Sequence, residues 1–543
     1  MPSDKTMTID LRERVRGERI GLAPRLGTLD EGRILLFDNG KVGNRDTGKY
    51  SRIFQVLEDH ITGAHAAAAV STMRHDLLQC KPEVVLSLVE EVADAGFDAV
   101  ICALLDQGVT QPTMIFATEL ERRGIPTSLV CQGAGGRLAT ATAGHMAPGI
   151  PVTLLDMARD ANPDAVARAT EAAIPAILEG LLARGTSSTG RDTAATASAT
   201  ASAIPLLAIE GPDASHAYTQ CLADAGLGDG LPFFAPTPAR VEAMLAASGI
   251  AADAPLWPVI APRASPLTAL EVAALAVAAG CEPQWFGVVA AAYRAMAAPA
   301  FRLAQGAITT HPGGTLVLVS GPAAAKLGIA SGQGSLGPGF RANATIGRAV
   351  ALAYSFFLGA RVGGSDLSVQ GSPAKFSYCY AENLAKSPWP GLNADWFDAD
   401  TSCVTVLKCE GPRTFVNDTS TTAEGILDKA AGNIMGMAGN LAAMIRAQIM
   451  VTLNPGHAAI VAASGWTKAD VQRYLFERAR NDRSALLGLE GLVAHPKWFS
   501  GLARFPVVER AEDFLVVVAG EPGPHSSVAL PWGMSRGITE RIT

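Results

Sequence analysis

Residues 83–131 alternate helix and strand in a way that leaves few folds open. EVVLSLVEEVADA (83–95) is amphipathic and stops at Gly96. DAVICALL (98–105) is apolar throughout, Thr113 to Arg123 reads as a helix closed by Gly124, and PTSLVC (126–131) is a second apolar strand. A strand without polar alternation is buried on both faces, which places it inside a parallel sheet. Parallel neighbours require right-handed helical crossovers, so the segment predicts a doubly wound α/β sheet. Upstream, RILLF (33–37) runs into Asp38-Asn39-Gly40-Lys41, a strand ending in a turn. A helix from about Tyr50 to Ile61 and a small-residue strand near 66–70 follow, and a strand at 151–155 with a helix at 161–183 closes the unit. Ligands of such sheets sit beyond the carboxyl ends of the strands. That draws the loops at 38–41, 106–113 and 131–135 to one crevice.

A chain of 543 residues is too long for one core. Residues 1–29 read as a polar arm and 30–183 as the parallel α/β unit. The Ser/Thr/Ala-rich stretch 184–203 reads as a flexible linker, and 204–543 as a second, larger α/β domain with alanine-rich helices at 267–279 and 283–297. TLVLVSGPAAAKLGIASG (315–332) and IMVTLNPGHAAIVAASG (449–465) share a strand, a Gly/Pro turn and a small-residue helix. That echo suggests a duplicated unit. Alanine-rich helix faces pack closely, and a homo-oligomer built on them is expected.

Charged residues make up 17% of the chain and apolar ones 48%, the balance of a packed globular protein. A net charge of -7 with no basic stretch argues against a nucleic-acid partner. Arg446, Pro455 and Glu271 interrupt the most apolar runs, so no membrane span is expected. The polar N-terminus lacks a signal core, and a cytoplasmic protein with free thiols is expected, since its eight cysteines are scattered without a CxxC.

Four short segments and two histidines carry candidate chemistry. SGQGSLGPGFRANATIGR (331–348) contains GxGxxG, but it follows a helix rather than a strand and lacks GK[ST], so it is not read as a nucleotide loop. The expectation is an anion nest at Gly337 and Gly339, with Arg341, Asn343, Thr345 and Arg348 as ligands and an apolar helix from Ala349. In KFSYCYAENLAKSPW (375–389), Glu382 is a candidate general base with Lys375 lowering its pKa, Cys379 a candidate nucleophile and Asn383 a binding group. The alternation of Phe376, Tyr378 and Tyr380 with Lys375, Ser377 and Cys379 reads equally as a half-buried strand with an inert thiol. Asp106, Gln107, Thr110 and Thr113 stand in the strand-end loop or cap its helix, with Pro112 in the first turn. Ser420 and Thr421 in NDTSTTAE (417–424) cap a helix or bind an anion. His311 and His457, with Glu382, are candidates for a metal, at spacings matching no metal motif. The sequence names no cofactor.

DAVICALLDQGVTQPTMIFATELERRGIPTSLVC (98–131) resembles the substrate-activating component B of glycine, sarcosine and betaine reductases. With FDNGK (37–41), it also resembles the (seleno)proteins named for a Sec-Gly-Ser-Cys motif. The resemblance implies an α/β unit whose strand-end loop carries selenocysteine or cysteine. Here that loop reads Asp106-Gln107-Gly108-Val109-Thr110-Gln111, so the selenolate or thiolate chemistry does not carry over. GDGLPFFAPTPARVEAML (228–245), AGCEPQWFGVV (279–289), THP (310–312), GPGFRANATIGRA (337–349), AENLAKSPWPGL (381–392), STTAEGIL (420–427) and GWTKADVQRYLFERAR (465–480) are similar to the domain found with such modules. The expected function is an enzyme acting on a small anionic substrate at a carbon–heteroatom bond, of non-reductive lyase, hydrolase or isomerase type. An accessory component of a redox system and a metal-dependent enzyme are the alternatives.

Overall fold

The computed structural model describes residues 22–39, 49–75, 77, 82–103, 110–132, 140, 143, 149–157, 161–182, 212–258, 260, 265–362, 366–436, 447–482, 484, 502–533 and 535–543. The sequence-predicted linker (184–203), the strand expected at 204–209, and Asp106 with Gln107 lie outside them. The described residues divide into two compact units, one within 22–182 and one within 212–543.

The first unit is a five-stranded sheet of β1 (Arg33–Asp38), β2 (Ala69–Arg74), β3 (Ala99–Ala103), β4 (Thr127–Gln132) and β5 (Val152–Leu155). Every pairing is parallel and the order is β2-β1-β3-β4-β5. Leu35, Phe37, Val100 and Cys102 face helices α2 (Pro82–Asp94) and α3 (Thr110–Arg122). Ile34, Leu36, Ala99 and Ile101 face α1 (Lys49–Ala64) and α4 (Pro163–Glu179). The sheet is thus doubly wound, as the uninterrupted apolar run of its central strand β3 requires. Residues 22–29 are not a free arm. Ala23 and Leu29 are buried, and the buried Glu121 accepts the Ala23 N–H at 2.7 Å and pairs with Arg25 at 2.9 Å.

The second unit holds two mixed sheets. The first contains β6 (Gly314–Ser320), β7 (Cys379–Ala381) and β8 (Cys403–Cys409); β9 (Arg413–Val416), β10 (Ile449–Leu453), β11 (Phe514–Val518) and β12 (His525–Ala529) make the second; β13 (Ile538–Arg541) returns to the first. The orders are β13-β8-β6-β7 and β9-β12-β10-β11. Leu316, Leu318, Leu407 and Tyr380 of one sheet meet Met450, Val517 and Ala529 of the other in a shared core. On the outer faces, α5 (Ala269–Ala279), α6 (Phe286–Ala297) and α7 (Arg341–Phe357) cover the first sheet. The second is covered by α8 (Ala423–Met435), α9 (Pro455–Ala463) and α10 (Lys468–Arg478). The result is a helix–sheet–sheet–helix sandwich. The alanine faces of α5 and α6, expected at a subunit interface, are buried inside this unit instead.

The two sheets repeat one design. In each, a central strand (β6 or β10) pairs in parallel with one neighbour (β7 or β11) and antiparallel with another (β8 or β12). The parallel pairs close on matching residues: the Glu382 N–H donates to the Val319 carbonyl at 2.9 Å, and the Ala519 N–H to the Leu453 carbonyl at 3.1 Å. The outer strands are exchanged. β9, which follows β8 in the chain, pairs with β12, and β13, which follows β12, pairs with β8. The crossing point is the antiparallel bridge of Cys409 with Pro531. It is flanked by two equivalent bonds, Glu410 N–H to the Leu530 carbonyl at 2.8 Å and Trp532 N–H to the Lys408 carbonyl at 2.9 Å. The echo between 315–332 and 449–465 in the sequence is therefore the trace of an internal duplication with exchanged edge strands.

Helix α7 starts at Arg341, eight residues before the expected helix at Ala349. Ala342, Ile346, Ala349, Val350, Ala353, Phe356 and Phe357 are buried at helical spacing, so one face is apolar from the first turn onward. Gly347 lets this helix approach β7 closely: a Cβ there would clash with Ser377 Oγ and stand 2.7 Å from the Tyr378 nitrogen. Gly347→Ala, which helix propensity alone favours by up to about 1 kcal/mol, should instead destabilise the unit by roughly 2 kcal/mol through overpacking. A lowered urea midpoint checks this; an unchanged or raised midpoint contradicts the close approach.

Candidate active site

Glu382 follows β7 directly, at the carboxyl end of the β6–β7 parallel pair, and only 2% of it is exposed. Its Oε2 accepts from the Ser320 hydroxyl at 2.8 Å and from the Leu392 N–H at 2.8 Å. Among the described residues its Oε1 accepts no hydrogen bond, and it stands 3.7 Å from Lys468 Nζ. That ammonium is itself buried without a hydrogen-bond acceptor, and so is the Asn393 carbonyl oxygen without a donor, among the described residues. Gly391 lies beside both oxygens: a Cβ on it would lie 2.5 Å from Asn393 Oδ1 and 3.1 Å from Glu382 Oε2. Asn393 is fixed by its amide, which donates to the Ala399 and Thr401 carbonyls at 2.8 and 2.9 Å.

Buried polar atoms are almost always hydrogen-bonded, and each one left unpaired costs about 1–3 kcal/mol. Lys468 breaks a second rule. It opens α10 behind the cap Thr467, where the helix dipole disfavours a cation. Asp470 supports that end by accepting the Thr467 N–H at 2.8 Å. Rules of this kind are broken mainly at functional sites.

Burial raises the Glu382 carboxyl above its usual value, aided by Asp395, while Lys468, the Leu392 N–H and the Ser320 hydroxyl oppose the rise. Asp395 is raised by burial as well, with Lys468 opposing. The Cys403 thiol nearby is pushed up to about 12 by burial, with Glu382 and Asp395 adding to it. The cluster therefore holds one carboxyl group suited to exchanging protons nearer neutral pH than an exposed glutamate.

Lys375, expected beside Glu382, pairs with Asp366 instead; the cation near Glu382 is Lys468, and the carboxyl is raised rather than lowered. Cys379 points to the helix-facing core, where burial raises its thiol far above the usual range. Asn383 staples the two repeats: its N–H donates to the Val518 carbonyl at 2.7 Å and its amide to the Gly520 carbonyl at 3.0 Å.

In the glycine stretch, expected as an anion nest, the polar side chains have partners within the protein. Arg341 pairs with Glu282 at 2.8 Å, and Arg348 with Asp229 at 2.7 Å. Asn343 accepts the Ala330 N–H at 2.9 Å and donates to the Ala330 and Ser335 carbonyls. Thr345 donates to the Arg341 carbonyl, and the Gly337 N–H to the Gly334 carbonyl at 2.7 Å. Gly339 makes the turn into α7 with φ +108°. Asn343 thus ties the loop to its own helix, and the two arginines tie that helix to Glu282 and Asp229.

His311 precedes β6 and Glu382 follows its neighbour, so the strands separate them to opposite ends of the sheet. His311 Nδ1 accepts the Gly313 N–H at 3.0 Å, leaving Nε2 to donate to Glu410 Oε1 at 3.0 Å. His457 is buried, with Nδ1 2.7 Å from Ser526 Oγ and Nε2 2.9 Å from the Asn417 carbonyl. Among the described residues no three His, Cys, Asp or Glu side chains gather as a metal requires. Ser420 accepts from the Asn417 amide at 2.9 Å, Thr421 is exposed, and Thr422 is the cap of α8.

In the first unit, β1 and β3 are neighbours whose connections leave in opposite directions, the switch point at which such sheets bind ligands. Asp38 and Asn39 end β1 there, both buried. Arg74 donates to Asp38 at 2.6 Å, and the Asn39 amide to Thr113 Oγ1 at 2.6 Å. Residues 7–183 match the sequence model of the UGSC family. The UGSC match thus ends with the first unit, and the Glu382–Lys468 cluster lies outside it. Neither a curated protein nor a solved structure matches the chain.

Sequence reasoning missed Lys468, Asn393 and Ser320. A signal for Lys468 was present: Thr467-Lys468-Ala469-Asp470 is a capping pattern with a cation at the wrong end. The raised Glu382 pKa fixes a sign. Its protonated form stabilises the fold fully below the unfolded value of 4.5, and this contribution is lost as pH rises through the higher folded value. Glu382→Gln lacks that loss, so its stability relative to wild type should improve as pH rises from 4.5 through the raised folded value. Urea unfolding followed by tryptophan fluorescence across that range measures it; a flat difference contradicts the shift.

Proposed function

We propose that the second unit is an enzyme that moves a proton on a small anionic substrate, breaking or making a carbon–heteroatom bond without net reduction. The observation that supports this most is the pair Glu382 Oε1 and Lys468 Nζ, buried, 3.7 Å apart and both without a hydrogen-bond partner among the described residues. A substrate anion would meet the ammonium of Lys468, and a substrate donor the free oxygen of Asn393. Glu382, anchored through its other oxygen by Ser320 and Leu392, would take a proton from the substrate and return it to the departing heteroatom. Lyase and hydrolase chemistry both fit that cycle.

The UGSC-matching unit enters this proposal as a relative of the component B of glycine, sarcosine and betaine reductases. The absence of cysteine from 106–111 favours a non-reductive role for the whole chain over the redox chemistry of that family.

A screen of small hydroxy- and aminocarboxylates identifies a turned-over compound. On that compound Glu382→Gln should lower kcat at least about a hundredfold, the usual scale of general acid–base catalysis, with KM little changed. Lys468→Met should mainly raise KM. The acid limb of kcat/KM should lie above the 4.5 of an ordinary glutamate, because burial raises Glu382. Wild-type turnover in Glu382→Gln would sink the proposal.

A further inference from the structure

Lys408 belongs to none of the chemistry above. It lies on β8 on the same face as Val404 and Val406, which the alternation of the strand turns toward the helices. Only 3% of it is exposed. Its Nζ stands over the ring of Tyr354 on α7, 4.1 Å from the centroid. Its cross-strand partner is Thr315, whose hydroxyl is 2.8 Å from that of Tyr354. Gly306 forms the opposite wall: a Cβ there would be 3.5 Å from Lys408 Cε and 3.5 Å from Tyr354 Oη. The neighbouring charges are Asp366 and Lys375, already paired with each other, so among the described residues no carboxylate is left over to Lys408.

A structural buried lysine is normally paired with an acid. An amine held in an apolar pocket beside another cation is the arrangement that activates lysine as a nucleophile. We propose that Lys408 is a reactive amine that condenses with the carbonyl of a small aldehyde or 2-oxo acid. The Nζ lone pair attacks the carbonyl carbon, a C–N bond forms, and the C=O electron pair moves to oxygen, which takes a proton. The nitrogen then loses its proton as its lone pair forms C=N, and the hydroxyl leaves as water, so no oxidant or reductant is consumed. The Tyr354 hydroxyl, which burial keeps protonated, belongs to the ring that lies against the amine and can supply a proton.

Burial first, and Lys375 second, bring the Lys408 ammonium down to about 7, against Asp366 and Cys409, which act the other way. The amine is thus available at a pH where exposed lysines, near 10.4, are charged.

The test is reductive trapping on the full chain. Wild-type protein is incubated at about pH 7 with glyoxylate or acetaldehyde and cyanoborohydride, and the modified lysines are mapped by peptide mass spectrometry. Lys408 should carry the reduced adduct at least about tenfold ahead of exposed lysines, from its larger neutral fraction. Glu382→Gln should be trapped equally, which separates this site from the proton-transfer site. A native protein labelled on its surface lysines with Lys408 unmodified overturns the proposal. Lys408→Met gives a second readout. A depressed amine contributes stability above its unfolded value of 10.5 and loses it as pH falls through about 7. The variant should therefore gain on wild type as pH is lowered across that window; a constant difference means a charged, structural lysine.

Discussion

The second unit depends on one short antiparallel contact, the bridge of Cys409 with Pro531 and its two flanking bonds from Glu410 and Trp532. At this point the two repeats cross, and each hands its last strand to the other's sheet. Backbone groups buried this deeply must be paired. With the crossing in place, β8 and β12 each acquire a second neighbour; without it each would present an open edge to solvent or to another chain. The shared core of Leu316, Leu318, Met450 and Val517 then forms because the exchange holds the two sheets face to face.

The same exchange explains where the site residues come from. Glu382 and Asn393 follow β7 of the first repeat, whereas Lys468 opens a helix of the second. Asn383, one residue on from Glu382, bonds to the backbone at Val518 and Gly520 of the second repeat. The cation and the carboxyl are thus carried by different halves and brought together by a strand-end staple. In the first unit the parallel order places Asp38, Asn39 and Thr113 at a switch point by a different route, through sheet topology alone.

Much of the first unit was legible because its central strands are apolar and the helices beside them, 82–94 and 110–122, stop short of Gly96 and Gly124, signals that report on local structure. The positions of β1, β3, β4 and β6 follow directly from RILLF, AVICA, TSLVC and TLVLVS. The start of α7 was not legible: the arginines and asparagine of RANATIGR look like loop ligands, and only the tertiary packing of Ala342 and Ile346 shows a helix. Glu382 was visible as a carboxylate at a strand end. Its partner was not, since Lys375 is near in sequence while Lys468 is near only in the fold. The duplication left a faint echo because strands share a pattern more than residues. The exchange of β9 and β13 left none, since strand pairing is a property of register and not of composition.

A protein built this way cannot finish its first sheet early. When β6, β7 and β8 have left the ribosome, the place beside β8 is reserved for Ile538–Arg541, which are translated well over a hundred residues later. Meanwhile β9, already made, has no β12 to join. During that interval Val404 and Val406 lie on a strand with a bare hydrogen-bonding edge, the kind of surface that pairs with a neighbouring nascent chain. Yield in a host should therefore depend on how quickly translation reaches the last strand and on how well chaperones shield the waiting edge.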